Sequence, residues 1–345
     1  MSAPPATAGS LTAGDLAQVP EEIVAALRGA RRVLTVCHEN PEADALGAAL
    51  GLGLALETLG ATATVVCADP VPPLYGFMPA IGRFRTAPDE GAAYDRIVVV
   101  DCGELERVGP VLESQREVFE RTPIVNIDHH KSNLGFGSTN WVDARAAATC
   151  EMLTLLVRAM GIPLTSAGGA LAANLLSGIV MDTANFQHPN TTPRTLRAAA
   201  ELVAAGAPLA ETARRLYRTK PNEQLRLFGR VLARMESEAD GRLVWSTLEM
   251  ADLAATGALQ AHSEGLIDLL SQSETAEVAI LFKEADGQTR ISVRTREGSV
   301  DATVLTGAFG GGGHARAAGA TLELSPVDAR PRVLAEARRL LDGRA

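Results

Sequence analysis

The chain has 345 residues, enough for about two domains. Apolar residues make up 46% and charged residues 21%, a globular balance that excludes disordered and fibrous classes. With 4% aromatics and a net charge of −9, the surface does not suit long single strands or long duplex nucleic acid, so an anionic substrate should be short or held at a local cationic centre.

Residues 1–18, rich in Ala, Pro, Gly and Ser, read as a loose tail, without the basic start and apolar run of a signal peptide. The longest apolar stretch, Ala45 to Leu56, falls well short of the roughly 20 residues that span a bilayer. A cytoplasmic chain with no membrane partner is the expectation. Cys37, Cys67, Cys102 and Cys150 lack CxxC spacing and read as core thiols.

From residue 31 strands and helices alternate. Residues 31–37, 63–67, 95–100 and 122–127 have the composition of buried strands, and 44–59, 146–160 and 167–181 that of helices. This predicts an α/β domain over 19–192, with a parallel sheet and covering helices. Residues 193–235 read as helical connection. Residues 236–345 show short strands at 242–248, 276–284 and 289–297, a hairpin signal at Ala285-Asp286-Gly287, and a closing helix over 327–341. They predict a smaller α+β domain, with a cleft between the two.

Three of the predicted strands run into polar residues: His38, Asp101, and Asp128-His129-His130. In open parallel sheets ligands bind beyond the carboxyl ends of the strands, so these endings imply one converging site. Glu42, Asp44 and Asp182 add carboxylates. Singly, Asp44 is explicable as a helix cap and His129-His130 as solvated loop residues. Together they offer more anionic ligand than one divalent ion needs, which suits a pair of Mn²⁺, Fe²⁺ or Zn²⁺ ions sharing a carboxylate. Two ions about 3.5–4 Å apart stabilise both the attacking hydroxide and the leaving oxygen of phosphoryl hydrolysis. In the second domain, four glycines (310–313) precede His314, leaving backbone N–H groups free to approach an anion. Arg290, Ser292, Arg294 and Arg296 share one face of an alternating strand.

The runs HENPEADALG, VVVDCG, DHH, SGIVMDTANF and FGGGGHARAAG, in that order, resemble the DHH/DHHA1 phosphoesterase family, and within it the bacterial oligoribonuclease/pAp-phosphatase branch. The resemblance covers about residues 22 to 343. It implies two Mn²⁺ ions, with Mg²⁺ or Co²⁺ as substitutes. One would take His38, Glu42 and Asp101, the other Asp44, Asp101, His129 and Asp182, with Asp101 bridging. His130 would face the substrate phosphate as donor or proton source. Arg294, Gly311, Gly312, Gly313 and His314 would hold a second phosphate or terminal nucleotide. The expected activity is hydrolysis of short oligonucleotides, linear dinucleotides (pApA, pGpG) and 3′-phosphoadenosine 5′-phosphate by an activated hydroxide. The alternatives are a cyclic di-AMP phosphodiesterase or a nucleotide-binding regulator with a weakened metal site; a homodimer is allowed for. The chain departs from the family pattern at Glu42, where Asp is usual, and at Ala184-Asn185, where Gly-Gly is usual.

Overall fold

A computed structural model of the chain describes residues 9–285 and 287–343. The chain divides into two compact units between Thr219 and Lys220.

The first unit runs α1 (Ala13–Leu16), α2 (Glu21–Arg28), β1 (Arg32–Val36), α3 (Ala43–Thr58), β2 (Thr62–Val66), β3 (Arg96–Val100), α4 (Pro110–Ser114), α5 (Arg116–Arg121), β4 (Ile124–Asp128), β5 (Thr139–Val142), α6 (Thr149–Ala159), α7 (Ala170–Asp182), α8 (Pro193–Ala204) and α9 (Leu209–Tyr217). The sheet order is β2-β1-β3-β4-β5, parallel throughout. Both faces are covered, which is why these strands read as continuous apolar runs rather than alternating ones. Val98 and Val100 join the core built with α3, α6 and α7, while Ile97 and Val99 enter the opposite core with Val111 and Phe119. The strand order reverses between β1 and β3. This is the switch point at which such sheets bind ligands, and His38 and Asp101 follow those two strands.

Part of the expected tail is anchored. Thr12 and Asp15 form a capping box on α1, and Asp15 accepts a 2.8 Å ion pair from Arg197. Strand β5 and helix α2 were not foreseen. The residues expected to connect the domains are shared out: α8 and α9 belong to the first unit, and residues 220–235 to the second.

The second unit contains α10 (Asn222–Leu232), β6 (Glu236–Glu238), β7 (Leu243–Leu248), α11 (Met250–Thr256), α12 (Leu266–Leu270), β8 (Val278–Ala285), β9 (Gln288–Thr295), α13 (Ala302–Gly307), β10 (Gly312–His314), β11 (Ala317–Leu322) and α14 (Pro326–Asp342). Its sheet order is β10-β11-β9-β8-β7-β6, with β7–β8 parallel and the other pairs antiparallel. Along β8, Val278, Ile280 and Phe282 enter one core, while Ala279 and Leu281 enter the other with α10 to α12. The expected hairpin is β8–β9, closed by the Ala285–Gln288 pair; Asp286 lies outside the described residues. The four-glycine run enters edge strand β10 at Gly312. Among the described residues, no helix is long and apolar enough to cross a membrane.

Candidate metal centre and substrate groups

Asp101 sits at the middle of the cluster. Its Oδ2 lies 3.7 Å from His38 Nε2, and its Oδ1 lies 3.5 Å from His129 Nε2 and 3.8 Å from His130 Nδ1. The Thr149 hydroxyl donates to Oδ1 at 2.9 Å. The residue is buried and adopts φ 55°, a left-handed conformation that costs a non-glycine residue on the order of 1–3 kcal/mol and is characteristic of functional positions.

Asp44 does not cap its own helix. Its carboxylate accepts the backbone N–H groups of Thr149 (2.6 Å) and Cys150 (2.9 Å) in the first turn of α6, satisfying donors with no intrahelical partner. Gly178 on α7 makes this position accessible: a Cβ there would lie 2.4 Å from Asp44 Oδ1. The glycine of SGIVMD is therefore required by close approach. Asp182, at the end of the same helix, lies 3.2 Å from His129 Nε2.

Among the described residues, two groups of three have ligand atoms within 4.8 Å of one another: Asp101, His129 and His130, and Asp44, His129 and Asp182. His38 joins through Asp101. Glu42 enters neither group; it is exposed at the amino end of α3 and makes no side-chain cap bond.

The electrostatics show an excess of negative charge. Burial, then the charge of Asp101, raises the Asp44 carboxyl to about 6. Burial, then Asp44 and Asp101, drives Asp182 well above the carboxylate range. Burial would also raise Asp101, but His38, His129 and His130 outweigh it and bring Asp101 down to about 2. Burial lowers His38, yet its hydrogen bonds to Asp101 and to the Glu39 carbonyl leave it raised. Such a donor set suits a divalent cation, which would let all three carboxylates ionise together.

His130 is held differently. Its Nδ1 is 2.7 Å from Asp128 Oδ1, and Asn133 donates to Asp128 Oδ2 at 2.7 Å and to the Cys102 carbonyl at 3.0 Å. The Asp128 bond, opposed by burial, raises the His130 pKa. With Nδ1 engaged, Nε2 is the nitrogen left for a ligand. Asn133 and Thr149 were not singled out in the sequence. Asn133 had a signal, lying in DHHKSN five residues after Asp128, whereas Thr149 lies in an alanine-rich run that carries none. Arg107 was also missed; its guanidinium lies 3.3 Å from His38 Nδ1.

After Asp182 the backbone runs left-handed through Ala184, Asn185 and Phe186, at φ 46°, 59° and 65°. Glycine adopts this conformation freely, whereas an L-residue pays about 1–2 kcal/mol. Ala184 is thus strained, whereas Asn185 tolerates this conformation better than most residues. All four cysteines are free and buried.

In the second unit, β9 and β11 pair Arg294 with Ala317, and β11 and β10 pair Ala317 with His314. Arg294 and His314 thus share a face, two strands or about 10 Å apart. Arg294 is tied to Asp268 at 2.8 Å, and His314 is exposed. Gly311 passes so close to β11 that a Cβ would lie 2.2 Å from the Gly319 carbonyl.

Residues 32–206 match the DHH family N-terminal domain, and residues 249–343 match the DHHA1 domain. The chain is 35% identical over 321 residues to the bifunctional oligoribonuclease and PAP phosphatase NrnA of Thermus thermophilus, covering 93% of each protein. It is 27% identical over 310 residues to the protein of that name in Bacillus subtilis, covering 88% of this chain and 92% of the relative. The crystal structure of an exopolyphosphatase-related protein from Bacteroides fragilis superposes with a TM-score of 0.82 at 21% identity, covering 95% of this chain and 96% of that one. A covered parallel sheet with acid and imidazole at its switch point, a second unit that carries a four-glycine run, and these relatives define a phosphoesterase hydrolase. The chain belongs to the DHH family and carries its DHHA1 domain.

Proposed function

We propose that the chain is a Mn²⁺-dependent phosphodiesterase and phosphatase of the cytoplasm. Its substrates are RNAs or DNAs of two to five nucleotides, linear dinucleotides such as pApA and pGpG, and 3′-phosphoadenosine 5′-phosphate. The observation that carries this reading is the group of buried Asp44 and Asp101 with half-buried His129 and Asp182, in which the charge of Asp101 raises the proton affinity of Asp44 and both raise that of Asp182. The oligoribonuclease and PAP phosphatase names of the relatives support the substrate class.

His38, Glu42 and Asp101 would hold one ion, and Asp44, Asp101, His129 and Asp182 the other. When bound, the ions supply Lewis-acid stabilisation of phosphoryl charge and a water acidic enough to attack at neutral pH. The protein does the rest. The Thr149 hydroxyl and the α6 amides fix Asp101 and Asp44 in orientation. His130, steadied by Asp128, presents Nε2 to the leaving oxygen as proton donor. Arg294, His314 and the Gly311–Gly313 amides anchor a remote phosphate.

A product time course on 5′-labelled RNAs of two to 24 nucleotides, beside 3′-phosphoadenosine 5′-phosphate and cyclic di-AMP, tests the reading. Mn²⁺-dependent loss of the shortest RNAs is expected, with the 24-mer spared. Cleavage of cyclic di-AMP alone would overturn it in favour of a cyclic dinucleotide enzyme.

Three substitutions probe the assignments. Glu42→Asp shortens the one exposed carboxylate of the proposed set to the family's usual residue. It should tighten Mn²⁺ binding, read by calorimetry, by up to about tenfold, or 1.4 kcal/mol. Weaker binding would mean that the loop is fitted to glutamate. Arg294→Ala or His314→Ala should leave the metals bound. A charge-assisted contact is worth about 1.5–3 kcal/mol, so kcat/KM for 3′-phosphoadenosine 5′-phosphate should fall roughly 10- to 100-fold. The fall should be smaller for bis-(4-nitrophenyl) phosphate, which has no remote phosphate. Equal losses on both substrates would place these residues at the reacting phosphorus.

A further inference from the structure

One face of the second unit's sheet carries cations that the site above does not use. Residues paired across strands share a face, so the register defines three rows. The central row is Leu281, Ser292, Gly319 and Gly312. On one side of it lie Ala279, Arg294, Ala317 and His314, the proposed phosphate anchor. On the other lie Lys283, Arg290 and Thr321. Helices α10 to α12 bury Ala279 and Leu281 but leave Arg290 exposed and Ser292 half-buried.

The result is an open depression of about 470 Å³ lined by Lys283, Arg290, Ser292, Gly310, Gly311 and Gly319, among others. That is the size of a small-ligand site. Three glycines, Gly310, Gly311 and Gly319, lie among its lining residues.

Lys283 and Arg290 stand directly opposite each other on β8 and β9. Like charges in that position destabilise a sheet. Neither makes an ion pair among the described residues. Two acids on the same and the neighbouring strand connections are engaged by other groups: Glu284 accepts from the Met250 amide at 2.9 Å, and Glu323 from Gln288 Nε2 at 2.6 Å. Arg294, by contrast, has Asp268. Arg290 and Arg294 are four residues apart along one strand, about 13 Å. With Arg294 drawn to Asp268, the two cationic positions stay distinct. Two cations without an ion-pair partner among the described residues, beside a depression partly walled by glycines, suit an anion of a chain already gripped at the other row.

We propose that Lys283 and Arg290 form a further phosphate subsite, which takes a backbone phosphate of a nucleotide beyond the one anchored at Arg294 and His314. The subsite serves substrates of three or more nucleotides. It rests on the nucleotide phosphoesterase reading and extends it to substrate length.

The test is the double variant Lys283→Gln/Arg290→Gln in the full-length chain with Mn²⁺. Binding of a fluorescein-labelled, phosphorothioate-linked RNA pentamer is followed by anisotropy from 50 to 300 mM salt, and hydrolysis is measured on natural RNAs of two, three and five nucleotides. Each phosphate contact to a single strand contributes about 0.7 to the slope of log K against log salt. The variant's slope should therefore be shallower by about 0.7. Its kcat/KM should fall about tenfold on the pentamer and progressively less on the trimer and dimer. Its melting temperature should not fall, because a like-charge contact has been removed. An unchanged slope, or an equal loss at every length, would overturn the subsite while leaving the enzyme reading intact. A wild-type chain that neither binds nor cleaves the pentamer would overturn that reading and the subsite with it.

Discussion

Asp101→Asn is expected to lower Mn²⁺-dependent turnover by at least about 10³-fold, because Asp101 is the group on which three imidazoles converge. His38, His129 and His130 all approach its carboxylate within 3.8 Å. Asparagine keeps the shape and can still accept the Thr149 hydroxyl bond, so the fold should survive. What it loses is the charge, which the surrounding histidines hold ionised down to about pH 2. A ligand proposed to serve both ions supports the whole Lewis-acid contribution, which is worth several kcal/mol. A loss of about 4 kcal/mol corresponds to roughly a thousandfold in rate. Metal content by mass spectrometry, measured beside kcat/KM, separates the possibilities. The expected variant is folded, binds fewer than two ions and is nearly inactive. A variant with near-wild-type turnover at saturating Mn²⁺ would remove Asp101 from the shared position. Thr149→Val is the milder companion. It removes only the bond that orients Asp101, and such supporting contacts cost about 10- to 100-fold.

The parts of this site visible in the sequence are those fixed by strand endings. A buried parallel strand is a short apolar run, and the first polar residue after it stands at the carboxyl edge of the sheet. His38, Asp101 and the start of the Asp128-His129-His130 run follow from that rule alone. Asp182 is different, since it ends a helix, α7, and only the motif around it pointed to the cluster. Asp44 was open to a capping reading, and the structure shows it capping a helix, although the helix is α6, more than 100 residues away. Local pattern cannot carry that information, because the bond depends on how α3, α6 and α7 pack. The same holds for Gly178, whose lack of a side chain is explained by its contact with Asp44. In the second unit, the alternation along β9 correctly put Arg290, Ser292 and Arg294 on one face. It could not show that β11 would add Gly319 and Thr321 to that face, or that Lys283 would stand opposite Arg290. Strand β11 itself was obscured by Ala317, Ala318 and Gly319, which lack the β-branched composition of a strand.

His130→Gln is expected to cut kcat for 3′-phosphoadenosine 5′-phosphate by about 10²- to 10⁴-fold, the range for loss of a positioned proton donor. The loss should be far smaller for bis-(4-nitrophenyl) phosphate, whose nitrophenolate leaves without needing a proton. Asp128 makes the assignment testable through pH. Its 2.7 Å bond to His130 Nδ1 raises the histidine's pKa. A donor must carry its proton, so activity should be present below that pKa and be lost as pH rises through it. Asp128→Asn removes the charge, and the pKa should fall. The alkaline limb of the kcat profile should then move to lower pH, with metal content unchanged. Asn133→Ala frees one Asp128 oxygen without removing the charge, so it should disturb the rate more than the position of the limb. If Asp128→Asn leaves the limb in place, the group titrating there is not His130. If His130→Gln strips a metal instead, then His130 belongs with Asp101 and His129 as a ligand, the grouping their ligand atoms already permit.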